Sequence, residues 1–271
     1  MTSPMPVRRA GTLRLRPIAS GLTLLVALTA CTSDPSDGSG SGPSASRSAT
    51  ATAGAADGGG GRTAYAVPES CAALAVDAGS TLPGPALATC WRDALAAHGS
   101  VRAWTSGPPE MEAEVQLSPT DRLRTAASDG RVVVVADGSA FSLVDGRWVP
   151  GVLNSEDEEQ ALAAATGEFA TVAFSPQGMT QGVGECPSWR VGAEREQVTL
   201  RDGAEQTGLV RLECTARFDL SGATTTTATV WVREDWTPVR HTATLSISGV
   251  MTQTVREFAD HGTTFGIPTP G

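Results

Sequence analysis

Lysine is absent from the whole chain of 271 residues, so all 20 basic side chains are arginine. That absence excludes catalysis through a lysine Schiff base, a P-loop lysine or a Ser-Lys pair. Aromatic residues are scarce at 5%, with a single tyrosine, and no acid precedes residue 31. The formal net charge is −9, and four arginines (Arg8, Arg9, Arg14, Arg16) lie ahead of residue 31, so a chain starting there is more acidic still. Such a balance argues against nucleic acid as a partner. Residues 18–30 form an apolar stretch of 13 residues, short of the roughly 20 that a membrane-spanning helix needs. No GxSxG, HExxH or CxxC spacing occurs, and His98, His241 and His261 are scattered. The expectation is a protein without catalytic centre, metal or cofactor.

What is present begins with an address. Arginines followed by a short apolar stretch have the order of a secretory signal, and the stretch ends in Leu28-Thr29-Ala30-Cys31. This tetrapeptide resembles the lipobox of bacterial lipoproteins, in which small residues precede a cysteine that receives diacylglycerol. Cys31 is therefore the expected lipidation site, and residues 1–30 the expected signal peptide. Acyl chains anchor at ~0.8 kcal/mol per buried CH₂, which places the protein at the cell membrane, lipid-anchored and facing outside the cytoplasm. The Arg8-Arg9 pair leaves Sec and twin-arginine export both open. Residues 31–64 hold the lipidated cysteine and then Gly, Ser, Ala, Thr, Pro and Asp with almost nothing large and apolar. A segment of that composition cannot bury enough surface to order itself and reads as a disordered tether. Residues 65–271 are the expected folded domain, large enough for a substantial core.

Beyond Cys31 the cysteines are Cys71, Cys90, Cys186 and Cys214, an even number in an exported chain, which favours two disulfides. Of three formal pairings, Cys71 with Cys90 and Cys186 with Cys214 is preferred, because each pair is nearest in sequence.

Residues 85–98 place Leu87, Cys90, Trp91, Ala94, Leu95 and His98 at helical spacing. Strand-like runs then alternate with Asp129-Gly130, Asp137-Gly138, Asp145-Gly146 and Asp202-Gly203, and Asp-Gly between hydrophobic runs is a strong hairpin signal. Ser155 to Glu158 reads as a capping box opening a helix through Glu168. The acids at 156–159 are assigned to the helix dipole rather than to catalysis. Near the carboxyl end three runs alternate with period two: Val210 to Phe218, Thr227 to Arg233, and Val239 to Ser248, with Val239, His241, Ala243, Leu245 and Ile247 expected on one face.

The run Val230-Trp231-Val232-Arg233-Glu234-Asp235-Trp236-Thr237-Pro238-Val239-Arg240 resembles the strand, Asp-containing turn and Pro-Val-Arg return strand of the LolA-like fold, specifically the LppX/LprG-type lipoproteins of actinobacteria. Phe258 to Gly262 and Ile267 to Pro270 resemble that family's terminal strand and Pro-rich stop. The resemblance covers residues 70–271. The segment between Phe174 and Val198 departs from the pattern, as do two disulfides. The resemblance implies an α+β fold, a curved antiparallel half-barrel sheet with helices covering the concave face. It also implies a non-catalytic extracytoplasmic lipoprotein that binds or carries an apolar ligand, a lipid or lipoglycan, in the cell envelope. Phe141, Leu143, Trp148, Val230, Val232, Leu245 and Ile247 are the candidate lining of its concave face. The alternative is an interaction or sensory module that contacts an envelope protein and holds no ligand.

Overall fold

The computed structural model describes residues 65–220 and 222–271. The expected signal peptide, Cys31 and the tether lie outside the described residues. Two short pieces, α1 (Glu69–Ala72) and β1 (Thr81–Pro83), precede helix α2 (Gly84–His98). A first meander follows: β2 (Ser100–Thr105), β3 (Met111–Gln116), β4 (Arg122–Ala127), β5 (Val132–Ala136), β6 (Ser139–Val144) and β7 (Arg147–Pro150). Helices α3 (Glu158–Phe174) and α4 (Pro176–Glu185) lead to a second meander. It comprises β8 (Ser188–Thr199), β9 (Glu205–Cys214), β10 (Phe218–Leu220), β11 (Ala223–Val232), β12 (Pro238–Ile247) and β13 (Val250–Ala259).

All 13 strands join one sheet in the order β1-β8-β9-β11-β12-β13-β2-β3-β4-β5-β6-β7, with β10 beside β11. Every pairing is antiparallel. The edges β1 and β7 do not meet, so the fold is α+β with an open sheet. One continuous core cluster draws on β2 to β5, β8, β9, β11 to β13 and helices α2 to α4. A flat sheet of that width could not turn so many strands toward one core, and open sheets beyond about ten strands curl. The helices sit inside the curl, over the concave face of a half-barrel.

Local chemistry explains the elements. Asp137-Gly138 and Asp145-Gly146 have positive φ at both residues (53° and 75°, 49° and 78°), the two-residue hairpin turn whose twist matches the flanking strands. Ser248-Gly249 makes the same turn between β12 and β13 (50° and 84°) without an aspartate to signal it. Helix α3 is capped by Asp157, whose side chain accepts from the backbone N–H of Glu159 and Gln160. The expected Ser155 cap is thus corrected by two residues, and the helix runs past Glu168 to Phe174. Glu158 and Glu159 occupy its first turn, where they complement the dipole. Ser175 caps α4, accepting from Gly178 N–H, with Pro176 in the first turn.

Helix α4 and all but the end of β8 fill the segment that departs from the family pattern. Helix α4 carries Gly178, Gly182 and Gly184 and buries Met179, Thr180 and Val183. A Cβ on Gly178 would lie 2.0 Å from the Val172 carbonyl oxygen, and one on Gly184 3.2 Å from the Ala88 Cβ. The small residues let α4 wedge against α2 and the end of α3.

The disulfides join Cys71 to Cys90 and Cys186 to Cys214, with Cα separations of 4.7 and 6.1 Å. The first ties α1 to α2, and the second ties the end of α4 to β9. Replacing Cys186 and Cys214 together by serine is expected to cost about 3 kcal/mol, read from the shift of the urea midpoint. An unchanged midpoint would show that this bond constrains nothing the sheet does not already hold.

Candidate functional site: a cavity beneath helix α4

The sheet register sorts the seven candidate lining residues by face. Val230 and Val232 belong to the concave core and are fully buried, packed by other side chains. Phe141 pairs with Val134, and Leu143 with Trp148. Val134 and Trp148 belong to a separate cluster with Ile267 and Phe265. Helix α3 covers the other side of these strands, where a Cβ on Gly167 would lie 2.2 Å from the Ala140 Cβ. Phe141, Leu143 and Trp148 are therefore on the convex face, and their assignment to the concave lining is corrected: successive residues alternate faces, and the helices take the Ala140 side. Ile247 lies at the hairpin tip and is 50% exposed. Of the seven, Leu245 lines a cavity.

That cavity, about 240 Å³, lies between α4 and the concave faces of β2 and β10 to β13. Its roof is Gly178, Met179, Gln181 and Gly182 of α4. The cross-strand pairs order its floor. At one end Thr105, Arg256 and His241 form a row across β2, β13 and β12. At the other end Phe218, Thr225 and Leu245 form a parallel row across β10, β11 and β12. The rows are four residue steps apart along β12, about 13 Å of strand, with Ala243 and Thr254 paired between them. The floor thus carries its arginine and histidine at one end, while the other end is mainly apolar apart from Thr225.

The polar end has unmet hydrogen-bonding capacity. His241 Nε2 and Thr105 Oγ1 are buried without partners, as is Thr225 Oγ1 at the far row. Burial, assisted by the positive charge of Arg256, pushes the His241 pKa down to about 3, so this histidine is neutral at ordinary pH. Arg256 is not sealed from solvent as a whole residue, yet its guanidinium is desolvated enough for burial to lower its pKa from the ordinary value. A second, smaller cavity of about 140 Å³ lies beneath the end of α3, with Val115, Leu123, Val135 and Phe174 on its wall.

His98 and His261, far apart in sequence, meet elsewhere with ring centroids 4.9 Å apart. The Tyr65 ring stacks on His98 at 3.9 Å, and His98 Nε2 lies 2.9 Å from Thr237 Oγ1. Tyr65 donates its hydroxyl hydrogen to the Asp235 carbonyl, and burial beside Asp235 raises its pKa to about 12. This corner pins the start of the domain to the β11–β12 turn. No group of three His, Cys, Asp or Glu side chains suited to a metal occurs among the described residues.

No protein-family model matches the chain. No curated protein matches it either. Among solved structures it is similar to the crystal structure of LprF from Mycobacterium bovis. The two are 12% identical with a TM-score of 0.47, over 69% of this chain and 96% of that one.

The alternation of β12 places His241, Ala243 and Leu245 of the floor on one face, but it does not announce a cavity. Its roof is the glycine-rich α4, and its polar row joins residues from three strands. A further signal was Arg256, which shares a face of β13 with Thr254 and the core residue Phe258.

Proposed function

We propose that the protein is a non-catalytic, membrane-anchored carrier that holds an apolar ligand in the cavity beneath α4. The observation that carries this reading is the space itself: about 240 Å³ left open on the covered face of a well-packed sheet, with Leu245, Phe218, Leu220 and Met179 in its wall. A dry cavity of ~150 Å³ already admits benzene. The volume lies below the ~300–1,000 Å³ of pockets that enclose a whole drug-sized molecule, so it suits one acyl chain rather than several. Leu245 leads along its strand to Ile247, and Val250 and Met251 complete an exposed apolar hairpin tip at 65% and 56% exposure, a surface on which a chain can enter. The lipobox at Cys31 supports the membrane location.

Gly182 gives the test. A Cβ there would meet His241 Cε1 at 3.5 Å and Leu220 Cδ2 at 3.6 Å, ordinary contact at the cavity wall. Gly182→Ala is expected to stabilise the helix by about 0.5–1 kcal/mol, seen as a raised Tm. Gly182→Leu fills the cavity. The full chain is purified from membranes and extracted with organic solvent, which leaves covalent acyl groups on the protein, and the extract is analysed by mass spectrometry. The wild type yields a stoichiometric lipid and folded Gly182→Leu yields none. Equal lipid in both would remove the cavity from the function.

A second reading, an envelope protein-contact module, is favoured by one helix surface. Leu162, Phe169 and Val172 are 66%, 63% and 63% exposed along a single stripe of α3, more apolar surface than a solvated helix face normally carries. A lipid-free wild type whose crosslinks in cells run from position 169 to an envelope protein would establish it.

A further inference from the structure

Among the described residues, no group balances the charge of Arg256. The neighbouring Arg240 pairs with Glu257 at 3.5 Å, but no carboxylate pairs with Arg256 among the described residues, and none lines the cavity into which it faces. Its Nη1 donates to the backbone carbonyl oxygens of Met179 at 3.1 Å and Gly178 at 3.5 Å. Those contacts fix the guanidinium beneath α4 without neutralising it. A desolvated cation without a counter-charge is costly, and proteins accept it where something supplies the anion.

The row that holds Arg256 offers more than charge. Thr105 and His241 flank it on the adjacent strands, each with a buried polar atom lacking a partner. A threonine hydroxyl donates to an oxyanion, and neutral His241 adds a second donor in its Nε2–H tautomer. Two donor groups flanking a planar fork of N–H donors in one row match the oxygens of a carboxylate or phosphate. From that row the floor becomes apolar along β12, through Ala243 to Leu245, and ends at the exposed Ile247.

We infer that the cavity selects a single-chain amphiphile with an anionic head group, a carboxylate or a phosphate, held by Arg256 between Thr105 and His241 with its tail laid along β12 toward the hairpin tip. The inference rests on the carrier reading and adds to it the head-group charge and the orientation. It separates this ligand from neutral lipids of the same chain length, which would gain the apolar floor and leave the guanidinium unpaired.

The experiment is a fluorescence titration of the full chain, carrying Cys31→Ser to remove the acyl anchor, at pH 7.5. The probes are cis-parinaric acid and its methyl ester, with identical tails and different head charge. The wild type is expected to bind the acid about 10- to 100-fold more tightly than the ester, the span of a charge-assisted pair. Arg256→Met is expected to weaken the acid to the level of the ester and to leave the ester unchanged. Competition by a single-chain lysophosphatidic acid against the bound acid tells phosphate from carboxylate as the preferred head. Equal binding of acid and ester by the wild type would overturn the head-group inference and leave the carrier reading intact. Failure of both probes, with a folded protein, would overturn both. Should Arg256→Met not fold, Arg256→Gln keeps a donor for the Met179 carbonyl, and the acid-to-ester ratio of the wild type decides by itself.

Discussion

Trp189→Ala is expected to destabilise the domain by about 3–5 kcal/mol, the range for emptying a buried tryptophan site. Trp189 is fully buried and sits where three elements meet. On β8 it pairs with Leu82 of β1 and with Cys214 of β9, and its indole N–H donates to the Val183 carbonyl of α4 at 3.0 Å. Losing it removes packing from both strand neighbours and leaves an α4 carbonyl without its donor. Against a total stability of about 5–15 kcal/mol for a typical domain, one such change would leave a large share of molecules unfolded on warming. Trp189→Phe retains most of the ring and is expected to cost less, with the lost hydrogen bond contributing about 1 kcal/mol. Urea unfolding of the two variants separates these contributions. A loss below about 1 kcal/mol for Trp189→Ala would mean that the site collapses freely and that α4 is held by other contacts.

Acidification is the second large effect. Burial pushes His241 down to about 3, with Arg256 adding to the shift, and pushes His261 down to about 3, with His98 and Arg233 adding to it. In the unfolded chain both return to the ordinary value near 6.5. Between pH 6.5 and about 3 the unfolded state binds more protons than the folded one, so stability falls as pH falls across that window and is complete above it. At pH 5 each histidine contributes a loss of about 2 kcal/mol, since one pKa unit is ~1.4 kcal/mol. Together they remove about 4 kcal/mol between pH 7 and pH 5. His98, also lowered by burial, acts in the same direction. The check is the urea midpoint at both pH values for the wild type and for a double variant, His241→Gln with His261→Asn. The variant is expected to lose most of the slope, because the carboxylates that also titrate are common to both proteins. An identical slope would assign the acid sensitivity to the carboxylates instead.

Where a single local rule decides the structure, the sequence could be read directly. All four Asp-Gly turns and helix α2 with its apolar face follow from spacing and turn chemistry, each settled within a few residues, whereas the disulfides, spanning 19 and 28 residues, formed the preferred one of three pairings. Features that depend on what packs against a segment could not be read that way. Helix α4 has three glycines in ten residues, a composition that disfavours helix on propensity and forms one because α2 and α3 must approach closely. Strand β12 shows the same limit at the scale of one residue. Its alternation places Val239 with His241 and Ala243, but a register shift opposite Trp231 and Val232 turns Val239 to the convex side, where it packs with Leu200 and Leu209. One extra residue in a strand reverses the faces beyond it. Phe141, Leu143 and Trp148 fall on the convex side for a related reason: period two states which residues share a face but not which face the helices take. The polar row of Thr105, Arg256 and His241 spans the seam between two distant parts of the chain, and no window of sequence contains it.

That seam sets the order in which the protein can assemble. The first meander, β2 to β7, is built from adjacent hairpins, yet β2 finds its second neighbour in β13, with Thr105 opposite Arg256 and Arg102 opposite Ala259. A chain emerging amino terminus first completes one half of the sheet long before the strand that joins it to the other half arrives. Until then β2 is an unpaired edge, and closing the join requires ends separated by about 150 residues to meet, a slow step when contacts are this non-local. The anion-binding row is completed in the same event. Folding kinetics should therefore show a final, slow phase in which joining the two halves and gaining the capacity to bind occur together.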